Sequence, residues 1–193
     1  MSIGRTVAGF GTLTFLATSP ALAQITSHET TGNLRPTHKL GCISLGEVKS
    51  VYTPADLMQA HAKCRQVGRY EDAMVMLLIA GTYAWFDTQR VVDGTAHDAF
   101  QAMEANDPLS EKDRAEMKPI YARYKAPGSP EMAKFCEDIK RIGPPDYYPA
   151  YMVSHGMGAM FGASGGLVTN FDAASAWKGA LTKWMHCDIS DLK

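Results

Sequence analysis

"TPADLMQAHAKCRQVGRYEDAMVMLLIAGTYAWF", residues 53–86, reads as two helices joined through one glycine. Thr53 suits an N-cap, where its hydroxyl can take a backbone N–H that the first turn leaves unpaired. Pro54 follows at the first helical position, where a missing N–H costs nothing, and Asp56 at the third closes a capping box. Leu57, Ala60, His61, Cys64 and Val67 then recur at three- and four-residue spacing and form one face. Gly68 stops this helix, and a second, strongly apolar one starts within three residues.

The same signals continue outward along the chain. "DGTAHDAFQAMEAND" places Ala96, Ala99, Phe100 and Met103 on one side. "LSEKDRAEMKPIYARY" opens with a Ser110-x-x-Asp113 box, and Pro119 is expected to kink or divide it. "SPEMAKFCEDIKRIG" has Ser129 as cap and Pro130 behind it. It should bury Met132, Phe135, Cys136, Ile139 and Ile142 before stopping at Gly143. "NFDAASAWKGALTKWMHC" takes Asn170 or Asp172 as cap and aligns Ala174, Trp177, Leu181 and Trp184. "GCISLGEVKSVY" alternates weakly, as a short strand or irregular coil would, and alternation is almost absent after residue 52. The fold class is therefore all-α. A compact domain of six or seven helices over residues 53–193 follows an extended arm over residues 24–52.

Gly68 and Tyr70 at the turn, with Ala73, Leu77 and Ala80 behind them, resemble one tetratricopeptide or Sel1-like helical hairpin. The resemblance spans about residues 54–84, with no second copy at the offset such repeats require. It implies an α-hairpin rather than a repeat array, and a scaffold for protein binding more than for catalysis.

At the N-terminus, Arg5 precedes the apolar "TVAGFGTLTFLAT", and "SPALA" ends in Ala21-Leu22-Ala23. That order of a basic residue, a short apolar run and a small-x-small site is the pattern of a signal peptide over residues 1–23. Cleavage near Ala23 would release an exported chain, periplasmic in a Gram-negative bacterium, large enough for one core. No cysteine follows the site closely enough for lipid anchoring, since the first is Cys42. The longest later apolar run, "AMVMLLIAGTYAWF", falls short of the ~20 residues of a membrane span. A formal charge of −1 with no run of one sign gives nucleic acid nothing to hold. Four cysteines in an exported chain favour two disulfides, and Cys42–Cys64 with Cys136–Cys187 is the pairing expected. No C-x-x-C, H-E-x-x-H or Walker-type loop occurs.

"SHGMGAMFGASGG", residues 154–166, carries three motif matches at once. Its G-x-S-x-G (Gly162, Ser164, Gly166) imitates a nucleophile elbow, and its H-G-x-G imitates an oxyanion loop. A nucleophile elbow sits between a strand and a helix, and "PPDYYPAYMVSHGMGAMF" offers no such strand. The dinucleotide motif fails for the same reason, because no strand feeds Gly156 and Gly158. Met152, His155 and Met160 share a face if the stretch is one helix, while Met157 does not. Thioether and imidazole together suit Cu(I) in an exported protein. With eleven methionines in the chain, core filling explains them more simply, and no cofactor is expected. The simplest reading is a glycine-rich helix, flat where Gly158 and Gly162 stack, that buries Tyr151, Met152, Met160 and Phe161. "GASGGLVTN" then forms a loop.

Just upstream, Asp146, Tyr147, Tyr148, Tyr151 and His155 form the strongest candidate interface, because tyrosines present rigid area with a polar tip. His155 is also the one candidate general base, without a carboxylate partner visible in the sequence. The sequence therefore favours a protein that binds another protein in its export compartment, in the manner of an immunity protein that inhibits a toxic or lytic enzyme. A small enzyme built on the tyrosine–histidine segment and a copper-binding protein are the alternatives.

Overall fold

The computed structural model describes residues 30–163 and 165–190. The expected leader, His28 and Ser164 lie outside the described residues. The protein is all-α, with eight helices and no β-strand among the described residues. Helices α1 (Pro54–Gln66) and α2 (Tyr70–Arg90) form the hairpin read from the sequence and pack along their length. Helices α3 (Ala99–Asn106), α4 (Glu111–Lys125) and α5 (Pro130–Ile142) follow. Two single-turn helices, α6 (Ala150–Val153) and α7 (Met157–Met160), precede α8 (Ala173–Gly179).

Helix α2 is the axis of the core, with α1, α3, α4 and α8 laid against it. Met76, Ile79, Ala80, Tyr83 and Phe86 are essentially inaccessible. Each large side chain so buried stabilises the fold by roughly 1.5–3 kcal/mol. The caps fall where the sequence puts them. Thr53 Oγ1 accepts from the Asp56 N–H at 3.1 Å while Asp56 Oδ2 accepts from the Thr53 N–H at 2.8 Å. Ser110, Ser129 and Asp172 cap α4, α5 and α8 in the same way. Gly68, at φ +75°, makes the left-handed turn that ends the first helix.

Disulfides join Cys42 to Cys64 and Cys136 to Cys187, the expected pairing. The first clips the N-terminal arm to α1. Asp56, with no exposed side-chain surface, completes that attachment. Its carboxylate accepts from the Thr37 N–H at 2.6 Å, the His38 N–H at 2.7 Å and the Thr37 hydroxyl at 3.0 Å. Burial pushes this carboxyl's pKa up, but bonds from His38, Thr53 and Thr37 outweigh burial and hold it below the ordinary value. The described part of the arm is thus irregular but docked, with one 3-10 turn at Leu45–Glu47 where a short strand was one expectation.

Four sequence expectations need correction. Helix α4 runs unbroken through Pro119, which faces solvent, while Met117, Ile120 and Tyr124 hold the buried face. Water can satisfy the carbonyl that the proline leaves unpaired there. Val67 is 64% exposed because α1 ends one residue before it and the chain turns at Gly68. After α8 the winding changes to a π-turn over Ala180–Trp184, with the Met185 N–H bonded to the Ala180 carbonyl. The extra residue per turn moves Met185 into the place that α-helical spacing gives Trp184, so Trp184 turns out to 41% exposure. Finally, the glycine stretch is not one helix, as described next.

Candidate functional site

Asp87 sits one turn from the end of α2, on its apolar face, with no exposed side-chain surface. Its Oδ1 accepts from Arg90 Nε at 2.7 Å, and its Oδ2 accepts from the hydroxyls of Tyr151 at 2.9 Å and Tyr147 at 3.0 Å. The Arg90 guanidinium lies between two rings, 5.1 Å from the centroids of both Phe86 and Tyr147. Arg90 Nη2 is 2.7 Å from the same Oδ1 but out of hydrogen-bond alignment, so its attraction there is Coulombic. Burial raises the Asp87 carboxyl to about 6 against the downward pull of Arg90 and the two phenols. Burial also pushes Tyr147 and Tyr151 well above the ordinary range, so both stay protonated and donate. Two of the five candidate interface residues therefore lock the 147–151 segment to α2. Tyr151 is 1% exposed, whereas Tyr148 is 56% exposed and Asp146 is at the surface.

His155 follows α6 and is part-buried. Its Nδ1 lies 2.9 Å from Asn33 Oδ1, and its Nε2 lies 3.4 Å from Asp98 Oδ1. A carboxylate partner invisible in the sequence therefore exists, on the N-terminal side of α3. Both ring nitrogens face acceptor oxygens, a donor's arrangement that ties the arm, α3 and α6 together. The arm is further bonded here by the Leu34 N–H to the Tyr151 carbonyl and by the Thr30 hydroxyl to the Ser154 carbonyl.

Beyond His155 the chain breaks at Gly156 and restarts as α7. Asp93 and Thr95, on the turn after α2, cap this helix from a distant part of the chain. Gly158 N–H donates to Asp93 Oδ2 at 2.8 Å, and Met157 N–H donates to Thr95 Oγ1 at 2.9 Å. Thr95 in turn gives its hydroxyl to Asp93 Oδ1 at 2.6 Å. The Thr95 hydroxyl, then the Gly158 N–H, hold the Asp93 carboxyl below its ordinary value. This cap accounts for two glycines. A Cβ on Gly156 would stand 2.2 Å from Asp93 Oδ2, and one on Gly158 would stand 2.8 Å from the same oxygen. Gly156 and Gly158 leave room for an aspartate to approach the backbone, while Gly162 and Gly166 take left-handed turns, which corrects the flat helical face expected from Gly158 and Gly162.

The copper arrangement fails on the same geometry. Met152 is fully buried on α6, while Met160 is 46% exposed on α7, so the shared face with His155 does not form. Among the described residues no group of three or more His, Cys, Asp or Glu is placed to hold a metal.

What the capped turn displays is apolar. Phe161 is 76% exposed, Met157 54%, and Met160, Val92 and Val168 are also exposed. The Val91–Leu167 bridge brings the two valines together: Val92 N–H bonds the Gly166 carbonyl and Val168 N–H bonds the Arg90 carbonyl. Most of the exposed large apolar side chains among the described residues lie on these two bridged segments. Between Asp146 and Asp172 the sequence has no Asp, Glu, Lys or Arg. Beside this crest, Asp98 lines a shallow hollow with Met157, Thr95 and Gln101.

Asp87, Arg90, Asp93 and Asp98 escaped the sequence reading. Asp87 left one trace, since it continues the helical spacing of Ala73, Ala80 and Ala84 into an otherwise apolar face. Asp93 left none, because its partner lies 65 residues away. In comparison with known proteins, no family model, curated relative or solved structure matches the chain.

Proposed function

We propose that this is an exported helical binding protein that inserts the Met157–Met160–Phe161 crest into an apolar pocket of a partner protein. One observation carries the reading: large apolar side chains stand exposed on a turn braced from below by Asp93 and Thr95. Monomeric surfaces seldom keep contiguous apolar patches without a use for them, and methionine adapts to irregular partner surfaces. Beside Met157, Asp98 offers an exposed carboxylate on the polar side of the crest. The partner pocket is accordingly apolar with a basic edge. Two disulfides agree with folding in an oxidising compartment, and no helix among the described residues is long and apolar enough to cross a membrane. The α1–α2 hairpin, similar in sequence to a tetratricopeptide or Sel1-like unit, serves as the rigid support.

The test is photo-crosslinking in cells that make the protein naturally, with p-benzoylphenylalanine placed at position 161 and, as control, at exposed Val67. The expected result is one discrete protein adduct from position 161, weakened by Asp98→Lys and absent at Val67. Equal ladders at both positions would refute the reading, and adducts to lipid alone would reassign the crest to a membrane surface.

A further inference from the structure

Between α2, α3, α4 and the π-turn lies a hollow of about 290 Å³, apart from the Asp87 cluster. Three of its walls are aromatic: Phe100 from α3, Tyr121 from α4 and Trp184 from the π-turn, over a floor that includes Leu77. Gly81 makes the hollow possible. A Cβ there would stand 3.2 Å from Trp184 Nε1 and 3.5 Å from the Phe100 ring, so the indole rests on bare α2 backbone. The indole N–H has no acceptor among the described residues. The same π-turn that expels Trp184 from the core thus delivers it to this wall.

Only two charged side chains line the hollow, Glu104 and Lys125, and they are of opposite sign. Among the described residues, neither pairs with the other or with another charged group. Lys125 Nζ instead stands 5.8 Å from the Tyr121 ring centroid. Glu104 is exposed, and partial desolvation by its neighbours pushes its carboxyl above the ordinary value. An exposed anion and an exposed cation at the rim of one aromatic-walled hollow suit a ligand that carries both charges on an apolar body. We infer that this hollow binds a small zwitterion of the amino-acid class, its ammonium toward Glu104, its carboxylate toward Lys125 and its side chain among Phe100, Tyr121 and Trp184. The volume suits a single amino acid, and the rings supply stacking and cation–π attraction.

Three related probes separate the charges: L-phenylalanine carries both, phenethylamine the ammonium alone and 3-phenylpropanoate the carboxylate alone. Titration is followed by the Trp184 indole N–H resonance, assigned with Trp184→Phe. Phenylalanine is expected to bind at least about tenfold tighter than either single-charge analogue, each charge adding a modest surface contribution. Glu104→Gln should weaken phenylalanine and phenethylamine by about fivefold and leave 3-phenylpropanoate unchanged. Lys125→Gln should weaken phenylalanine and 3-phenylpropanoate and leave phenethylamine unchanged. Equal binding of the three probes, binding indifferent to both substitutions, or no shift of the Trp184 resonance would overturn the inference. Glu104 lines this hollow and not the one beside the crest, so Glu104→Gln leaves the position-161 cross-link intact whichever way the titration falls.

Discussion

Replacing Tyr151 by Phe tests the buried cluster with almost no change of shape. The substitution deletes one hydroxyl, 2.9 Å from Asp87 Oδ2, at a residue that is 1% exposed. With the Asp87 carboxyl raised from 3.8 to about 6, the group is ionised at pH 7.5 and protonated at pH 5. A hydrogen bond to a buried charge contributes about 1.5–3 kcal/mol, and one to a neutral group about 1 kcal/mol. The expected loss of stability is therefore about 2 kcal/mol at pH 7.5 and about 1 kcal/mol at pH 5. The pH dependence of the parent protein has a definite sign. Because the folded carboxyl binds its proton more tightly than the unfolded one, its contribution to stability is greatest near pH 4. That contribution falls by about 3 kcal/mol as pH rises through 6. Removing a bond to the ionised form pushes the carboxyl higher still, so the fall in Tyr151→Phe is larger and ends at higher pH. Urea unfolding at a series of pH values, with both disulfides intact, measures all of this. A loss that is the same at both pH values, or larger at pH 5, would refute the assignment of Asp87 as the titrating group.

Three further outcomes follow from the geometry. Asp93→Ala removes the acceptor for Gly158 N–H and should cost about 1–2 kcal/mol, with amide exchange at Gly158 accelerated; protection retained there would count against the brace. Gly156→Ala drives a methyl into the Asp93 carboxylate and should destabilise by about 1–3 kcal/mol in thermal unfolding, whereas an unchanged midpoint would mean that the contact yields freely. Changing both Cys136 and Cys187 to Ser opens a loop with a sequence separation of 51 and should cost about 4 kcal/mol. The pair Cys42 and Cys64, separated by 22, should cost about 3 kcal/mol in the same urea assay.

Legibility in the sequence followed the range of the deciding contact. Caps at Thr53, Ser110 and Ser129 depend on residues three apart and stand where the pattern puts them, and Asp172 is the one of two candidates that caps α8. Pro119 does not divide α4, because a proline's damage depends on which way it faces, and Pro119 faces water. Trp184 was misplaced by a change of winding that leaves no mark on apolar spacing upstream of it. At the candidate site the limit was sharper. Tyr147, Tyr151 and His155 stand out in the sequence as one candidate group, but Asp87, Asn33 and Asp98, which decide what they do, lie more than 50 residues away from them. Glycine content alone could not distinguish a helix-packing face from a backbone approached by a carboxylate.

The distant cap on α7 also bears on timing. Four residues cannot nucleate a helix by themselves, since a first turn fixes several dihedral angles for a single hydrogen bond. Met157–Met160 becomes helical only when Asp93 and Thr95 arrive, and they arrive only when α2 has folded and the loop between them has closed. The exposed methionines and Phe161 are thus arranged for display at the end of folding rather than at its beginning. A chain not yet folded presents the same residues as loose sequence, without the geometry that would let a partner hold them.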